Sequence, residues 1–253
     1  MILILIIGLI SLLYALYEYR NVQETHVFKE SFNIEKTFGL RIVFISDIQY
    51  DYLGTFFNKK LIIKVVNKIN ELQPDLVIFG GDYIHHKGKS VFKYLNNIEA
   101  KKIGILGNHD YFDLDSVIQG CQEANIRLLI NESITLHNIT FIGLDDSRMG
   151  SPHLPHIDDG DFNVLLVHDP DDFERLSNKR HFDMTLSGHL HGGQITLFGK
   201  YAPILPSRYK QKYRYGLVKN NNSIVYVTSG LGGFVFGLPI RFFAKPEIVI
   251  IDL

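Results

Sequence analysis

Residues 40–49 read LRIVFISDIQ, a run of β-branched and aromatic side chains that ends in polar residues. The run over Arg41–Ser46 predicts a buried strand, because a strand inside a parallel sheet is covered on both faces. Asn58–Glu71 then has apolar residues at helical spacing, with Asn58 as the expected N-cap. Leu76–Phe79 and Ile103–Leu106 repeat the buried-strand pattern. Strands that alternate with helices predict an α/β fold with a parallel sheet.

The second half of the chain is richer in strands. Ser90–Asn97 and Asp113–Ala124 are predicted to be helical, with Cys121 as a small core residue on the second. Because Cys121 is the single cysteine, no intrachain disulfide can form. Short apolar runs predict further strands at 126–130, 133–137, 139–144, 162–167, 183–187, 224–228 and 247–252. This order suggests two sheets packed face to face, with helices outside.

Polar residues follow five of the predicted strands. Ligands in α/β sheets collect outside the carboxyl ends of the strands, so we expect these side chains to surround one crevice. The set comprises Asp47, Gln49, Asp82, Asn108, His168, His189 and His191. Carboxylate, amide and imidazole ligands suit Mn, Fe or Zn, and the lack of thiolates argues against a closed structural zinc site.

Each motif taken singly has an ordinary structural interpretation. An aspartate after a strand is usually a turn or cap residue, and Gly107-Asn108-His109-Asp110 alone could be an ordinary loop. Gly188-His189-Leu190-His191-Gly192-Gly193 is harder to explain in this way, since two histidines among three glycines make a poor core and a poor helix. Five such motifs at five strand ends favour a metal site.

Together these motifs resemble the pattern of the calcineurin-like metallophosphoesterases, which runs Asp-x-His, Gly-Asp, Gly-Asn-His-Asp/Glu, a lone His and Gly-His-x-His. The resemblance covers roughly residues 40–253. It implies a four-layer α/β/β/α sandwich of two mixed sheets with two divalent metal ions. By position, it assigns one metal to Asp47, Gln49, Asp82 and His191. The other metal is assigned to Asp82, Asn108, His168 and His189, with Asp82 bridging.

One residue departs from that pattern, because Gln49 stands where most members have histidine. A glutamine carbonyl is a neutral and usually weaker ligand than imidazole, which puts the occupancy of the first metal in question. The stretch Asp47-Ile48-Gln49-Tyr50 resembles the manganese-dependent ADP-ribose/CDP-alcohol diphosphatases, in which glutamine is a ligand. Manganese is therefore the expected metal, with iron or zinc as alternatives, and pyrophosphate-like substrates are favoured.

The catalytic assignment follows from two-metal chemistry, in which the metals activate a water and stabilise charge on the phosphoryl group. We expect His109 to be the general acid that protonates the leaving oxygen. Asp110 is expected to hold the His109 imidazole in the right tautomer. The alternative for His109 is a structural hydrogen bond.

The N-terminus contains the targeting feature of the chain. Residues 1–17 contain no charged side chain and reach roughly 25 Å as a helix, slightly short of the width of a bilayer core. We predict an uncleaved transmembrane anchor at 1–20, a lead-in segment at 21–39 and a metallophosphoesterase domain at 40–253. A cleaved signal peptide and a buried helix are the alternatives. Basic residues follow the apolar run rather than precede it, which favours an inner-membrane protein with its catalytic domain in the cytoplasm.

Charge and apolar loops indicate where a substrate binds. The formal net charge of −1 gives no field that would collect nucleic acid. The basic, tyrosine-rich segment 195–219 contains Lys200, Arg208 and Arg214, which we expect to contact substrate phosphate or anionic lipid; a solvated loop pair is the alternative. The apolar segment 232–243 contains Phe234 and Phe236, which we expect at a bilayer or acyl-chain surface; core burial is the alternative.

These observations favour a membrane-anchored hydrolase of phosphodiester or pyrophosphate bonds, with no nucleic-acid or obligate protein partner. Gly188–Gln194, Gly143–Asp146 and Thr228–Gly232 resemble the family branch that includes membrane enzymes splitting UDP-2,3-diacylglucosamine in lipid A synthesis. That lipid-linked nucleotide is the first expected substrate. A phospholipid headgroup or a soluble nucleotide of the ADP-ribose/CDP-alcohol type is the alternative. A metal-binding scaffold without catalysis is a further alternative.

Overall fold

The computed structural model describes residues 1–51, 55–157, 162–220 and 223–253, with the side chains of 55–57 left out. Five α-helices lie in these ranges: α1 Ile2–Arg20, α2 Thr55–Leu72, α3 Phe92–Leu95, α4 Leu114–Glu123 and α5 Pro170–Ser177. The strands there are β1 Gln23–Phe28, β2 Arg41–Ile45, β3 Leu76–Phe79, β4 Lys101–Gly104, β5 Ile126–Leu128, β6 Glu132–Leu136, β7 Ile139–Gly143, β8 Asn163–Leu166, β9 Met184–Ser187, β10 Gly216–Asn220, β11 Ser223–Val227 and β12 Glu247–Asp252.

The strands form two six-stranded mixed sheets. The first has the order β1-β12-β2-β3-β4-β5, and the second has the order β10-β11-β9-β8-β7-β6. Within the first sheet β2, β3, β4 and β5 run parallel, while β12 runs antiparallel to β2. Within the second sheet β7, β8, β9 and β11 run parallel. The carboxyl ends of the parallel strands therefore meet at one edge of each sheet.

Three apolar clusters divide the molecule into four layers. One lies between the sheets and includes Phe44 and Ile78 from the first sheet and Leu166 and Leu186 from the second. A second cluster packs α2, α3 and α4 on the outer face of the first sheet. The third packs α5 on the outer face of the second sheet. The expected α/β/β/α sandwich of two mixed sheets is confirmed, and Cys121 is buried on α4.

Two local expectations differ from the structure. Asn58 is not the N-cap of α2, because the helix begins at Thr55 and the Asn58 side chain instead accepts a hydrogen bond from the Tyr19 hydroxyl at 2.9 Å. Strand β10 was not predicted, and it overlaps the end of the basic, tyrosine-rich segment 195–219. The lead-in segment 21–39 contains one short strand, β1, which pairs in parallel with β12 and extends the first sheet.

Among the described residues, one helix is long and apolar enough to cross a membrane, namely α1. Most of its side chains are exposed, whereas Ala15, Glu18 and Tyr19 near its C-terminal end are buried against the protein. There the carbonyl of Ala15 accepts a hydrogen bond from the backbone N–H of Arg241 at 3.1 Å. The Glu18 carboxylate accepts another from the N–H of Phe243 at 2.8 Å. The end of α1 is thus fixed to the loop at 241–243.

Candidate active site

The loops after β2, β3, β4, β8 and β9 bring the seven predicted ligands to one end of the sandwich. Five of them have left-handed backbone conformations: φ is 52° at Asp47, 43° at Gln49, 56° at Asp82, 70° at His189 and 51° at His191. A non-glycine residue in this region costs about 1–3 kcal/mol, and such strain clusters at functional sites. The tight turns aim these side chains at a common centre.

Asp82 lies at that centre. Its Oδ2 is 3.0 Å from the amide nitrogen of Gln49 and 3.4 Å from Nε2 of His168, and its Oδ1 accepts a hydrogen bond from the backbone N–H of His109. Burial disfavours a charged carboxylate, but His168 outweighs this and holds the pKa of Asp82 below its usual range. Asp82 therefore stays anionic inside the protein.

Asp47 also lies near His168, with its Oδ1 3.9 Å from Nε2 of that ring. The carboxylate of Asp47 accepts the backbone N–H of His189 at 3.0 Å, and its Oδ1 is 3.5 Å from Nε2 of His191. Ligand atoms of Asp47, Asp82 and His191 all lie within 4.8 Å of one another. Glycine is required beside this group: a Cβ on Gly107 would overlap the carboxylate of Asp82, and one on Gly188 would overlap that of Asp47.

Two further histidines face each other beside Asp82. The Nδ1–H of His168 donates to the carbonyl of Gly80 at 2.7 Å, which turns Nε2 toward the site. That Nε2 lies 3.3 Å from Nδ1 of His189. Burial lowers the pKa of His189 to about 3, and burial likewise lowers the pKa of His191 to about 4. Both rings are therefore neutral at pH 7, which is the form that binds metals.

Gln49 presents its amide nitrogen to this centre, 3.2 Å from Nε2 of His191. A nitrogen donor at this place holds Asp82 and His191 together by hydrogen bonds. A half-turn of the amide would put the oxygen at the same place, where it could bind a cation. Gln49 thus occupies the predicted ligand position, although the structure shows its amide in the orientation that donates.

The contacts of His109 and Asp110 correct the role expected for Asp110. The Asp110 carboxylate accepts backbone N–H groups of Asp82, Tyr83 and Gly107 at 2.8–2.9 Å, and no contact to the His109 ring is observed among the described residues. Nδ1 of His109 instead donates to the carbonyl of His85 at 2.8 Å. Burial and the charge of Asp82 raise the pKa of Asp110, and this effect is larger than the lowering by the backbone donors. Asp110 shapes the two metal-ligand loops, and the His85 carbonyl orients His109.

A cavity of about 640 Å³ opens above these residues. Its inner wall contains Gln49, Asp82, Asn108, His109, His189 and His191, and its outer wall is apolar. Phe234 and Phe236 line that outer wall. Arg148 is the one Lys or Arg among the described lining residues; its Nε is 2.8 Å from Asp169 Oδ2. Sequence reasoning missed Arg148, which belongs to no motif.

The three basic residues expected at the substrate lie outside this cavity. Lys200 is exposed on a turn, and the backbone N–H of Arg208 donates to Asp171 on a separate polar surface. The Arg214 guanidinium donates to the carbonyls of Gly192 and Gly199 at 2.7 and 2.8 Å. Arg214 therefore supports the loop that contains His191.

Comparison with known proteins agrees with this geometry. The sequence profile of the calcineurin-like phosphoesterases matches residues 40–193, which include all seven predicted ligands. The chain belongs to the calcineurin-like phosphoesterase family. This phosphoesterase is 33% identical to the uncharacterized metallophosphoesterase YkuE of Bacillus subtilis, over 95% of this chain and 88% of that protein.

Two other relatives add to the comparison. The phosphoesterase is 29% identical to an uncharacterized metallophosphoesterase of Helicobacter pylori over 92% of this chain, but it spans only 63% of that longer relative. It is also 26% identical to the phosphodiesterase YaeI of Escherichia coli, over 84% of this chain and 82% of that protein.

The residues of this phosphoesterase fit the divalent metals that the family binds. Oδ1 of Asn108 and Nε2 of His189 are buried without a hydrogen-bond partner in the described structure. An unpaired buried polar atom costs about 1–3 kcal/mol, and a cation bound between the loops removes that cost for the atoms it contacts. Together with the Asp47, Asp82 and His191 group, these atoms form an oxygen-and-imidazole set that suits Mn, Fe or Zn.

Proposed function

We propose that this chain is a metal-dependent hydrolase of phosphodiester or pyrophosphate bonds, in which Asp82 and the six other predicted ligands would hold two divalent ions. The observation that best supports this is the meeting of Asp47, Asp82 and His191 beneath an open cavity that also exposes His109. Manganese is the expected ion. The ions, when bound, supply Lewis-acid stabilisation of the phosphoryl group and an activated water at neutral pH.

Other roles toward the substrate belong to side chains of the protein. Gln49 and Asn108 contribute neutral amides, so the site keeps net positive charge for a phosphate once the ions are bound. Because Nδ1 of His109 is held by the His85 carbonyl, a protonated ring presents Nε2–H to the leaving oxygen. Arg148, fixed by Asp169, adds a permanent positive charge on the cavity wall.

The length of α1 supports a substrate at the membrane surface. The last residues of α1 pack against the protein, which leaves residues 2–14 to enter a bilayer. Thirteen helical residues reach about 20 Å, roughly 10 Å less than the hydrocarbon core. Loops beside α1 must therefore enter the interface for α1 to span the bilayer.

The loops beside α1 have the apolar composition that a position in the membrane interface requires. Exposed apolar side chains lie on the two segments 195–204 and 234–243: Leu197, Phe198, Ile204, Phe236, Leu238 and Phe243. Tyr14 of α1 contacts the Phe243 ring at 5.3 Å, and Phe243 contacts Phe198 at 5.7 Å. Both segments also line the cavity. Exposed apolar surface of this kind marks an interaction site, and we assign it to the bilayer.

A phosphorylated amphiphile in the inner membrane is therefore the substrate class we propose, with the catalytic domain in the cytoplasm. UDP-2,3-diacylglucosamine is the first candidate, since its pyrophosphate would reach the metal ligands and its acyl chains the apolar wall. CDP-diacylglycerol and ADP-ribose are the comparison substrates. Product analysis on these three compounds separates a lipid-linked nucleotide from a phospholipid headgroup and from a soluble nucleotide.

The hydrolytic activity is tested with bis(p-nitrophenyl) phosphate, a soluble diester. We expect turnover with added Mn²⁺ by the full chain in detergent, and loss of turnover in Asp82→Ala. No turnover by a folded, metal-loaded wild-type protein, on this diester or on the three candidate substrates, would support the scaffold alternative and end the proposal.

The membrane position is tested with Phe198→Ser, whose side chain is 80% exposed and does not line the cavity. Burying a phenylalanine in apolar surroundings contributes about 1.5–3 kcal/mol, so turnover of a lipid-linked substrate in vesicles should fall by roughly 10- to 100-fold. Turnover of the soluble diester should stay the same. Phe28→Ser, 62% exposed on β1, is the matched control. Equal effects of both variants on vesicles would contradict the membrane position.

A further inference from the structure

A second group of metal-ligand side chains lies beside His109. It comprises Asp51, His85 and His86, and each offers one ligand atom within 4.8 Å of the others. Nδ1 of His86 lies 3.8 Å from Oδ2 of Asp51. None of these residues belongs to the metal-ligand motifs of the central site.

Backbone pairing explains why the three residues meet. Tyr50 and Ile84 form a parallel bridge, and the N–H of His85 donates to the Tyr50 carbonyl at 3.1 Å. The residues that follow the bridge on each strand are Asp51 on one side and His85-His86 on the other. Gly88 lies so close to Tyr50 that a Cβ there would overlap its carbonyl. The backbone therefore holds the group together without help from the three side chains.

The side chain of His85 has a buried nitrogen, Nδ1, without a hydrogen-bond partner in the part of the chain that the structure describes. An unpaired buried nitrogen is costly in an ordinary loop, and a bound cation would remove that cost.

We propose that Asp51, His85 and His86 form a third metal site, which binds Zn²⁺ or a similar borderline transition ion. Two imidazoles and one carboxylate are the ligand set of open, catalytic zinc sites. Ligand atoms around tetrahedral zinc lie about 3.3 Å apart, given bonds of about 2.0 Å. Small side-chain rotations are enough to close the group from its present spacing, because the His86 side chain is 59% exposed and its closer ring contacts are to His85, within the group, and to Phe112.

The position of this site indicates what the third ion does. His85 lines the central cavity, its ring stacks on that of His109 at 4.7 Å, and it approaches Phe234 at 5.0 Å. The described wall of the cavity has Arg148 as its one permanent cation. A third ion therefore supplies charge for a phosphate other than the one that is cleaved. This role rests on the proposed hydrolytic function, whereas binding of the ion does not.

Zinc stoichiometry tests the site. The full chain, without a histidine tag and in detergent, is stripped with a chelator and titrated with Zn²⁺, and bound metal per chain is measured. We expect three ions in the wild type and two in His86→Gln. Loss of an outer-shell partner alone weakens metal affinity 10- to 100-fold, so loss of this direct ligand should weaken the third site by at least about 100-fold. Asp51→Asn should give the same result.

His181→Gln is the matched control, since His181 pairs with Asp183 at 3.5 Å and its side chain is 56% exposed. We expect this variant to keep three ions. Equal stoichiometry in the wild type and His86→Gln would overturn the proposal, as would equal losses in the two histidine variants. Asp82→Ala should lose the central ions and keep the third, so failure of the central site and failure of this site give different results.

Discussion

Replacing Arg241 with methionine should destabilise the protein and weaken metal binding together. Arg241 is fully buried between α1 and the loop that contains His191. Its guanidinium donates to the carbonyl of Gly232 at 3.2 and 2.7 Å, to that of His191 at 3.3 Å and to that of Ala244 at 3.0 Å. Burial lowers the pKa of Arg241 to about 10, so the group remains charged at pH 7.

The magnitude follows from these contacts. Four hydrogen bonds to a charged donor contribute roughly 1.5–3 kcal/mol each, and removal of a buried charge returns several kcal/mol. We therefore expect Arg241→Met to lower the free energy of unfolding by about 4 kcal/mol. For a protein of this size that corresponds to a melting midpoint lower by roughly 8–16 °C. Manganese affinity should fall about 10- to 100-fold, because the variant loses support behind a metal ligand.

Thermal unfolding of the full chain in detergent, with and without Mn²⁺, measures both effects. Arg41→Met is the control, since Arg41 forms an exposed ion pair with Asp252 that contributes about 1 kcal/mol or less. If Arg241→Met unfolds at the same temperature as Arg41→Met and binds Mn²⁺ like the wild type, Arg241 does not connect α1 to the metal site and the reasoning is refuted.

Three further predictions concern the active site. His109→Gln should lower kcat by about 10²- to 10⁴-fold for an alkyl leaving group and much less for p-nitrophenol, which needs no protonation. Equal losses of kcat with the two leaving groups would exclude His109 as a general acid. Gly107→Ala should cost about 1–3 kcal/mol in thermal unfolding and weaken Mn²⁺ binding, since the new Cβ overlaps Asp82; wild-type stability and affinity would contradict the close packing. Burial opposes protonation of His168, but Asp82 raises the pKa of His168 above its usual range. A bound cation must therefore displace that proton, and Mn²⁺ affinity measured by calorimetric titration should fall from pH 8 to pH 6. Constant affinity over this range would argue against His168 as a ligand.

Much of the site could be predicted from the sequence because parallel strands impose it. Asp47, Asp82 and His168 each follow a short apolar run, and runs of that kind end at the same edge of a sheet. The distance between such motifs along the chain does not matter once the strands pair. An error of one or two residues in a predicted strand boundary therefore does not change which residues are predicted to meet at this edge.

The details that could not be predicted depend on side-chain direction in irregular loops. Sequence adjacency favoured Asp110 as the partner of His109, but the turn points that carboxylate at three backbone N–H groups, and a carbonyl 24 residues away takes its place. Arg148 reaches the cavity because Asp169 and the Pro206 carbonyl hold its guanidinium. Arg214 has the same charge, yet it is bound to carbonyls behind His191. No spacing in the sequence distinguishes these two arginines.

The most direct test of the central claim is anomalous X-ray scattering from crystals of the Mn²⁺-loaded protein. We expect two manganese peaks about 3.5–4 Å apart that share the Asp82 carboxylate, with both peaks lost in Asp82→Ala. Manganese bound elsewhere in the wild type, with no peak within bonding distance of Asp82, would contradict that claim.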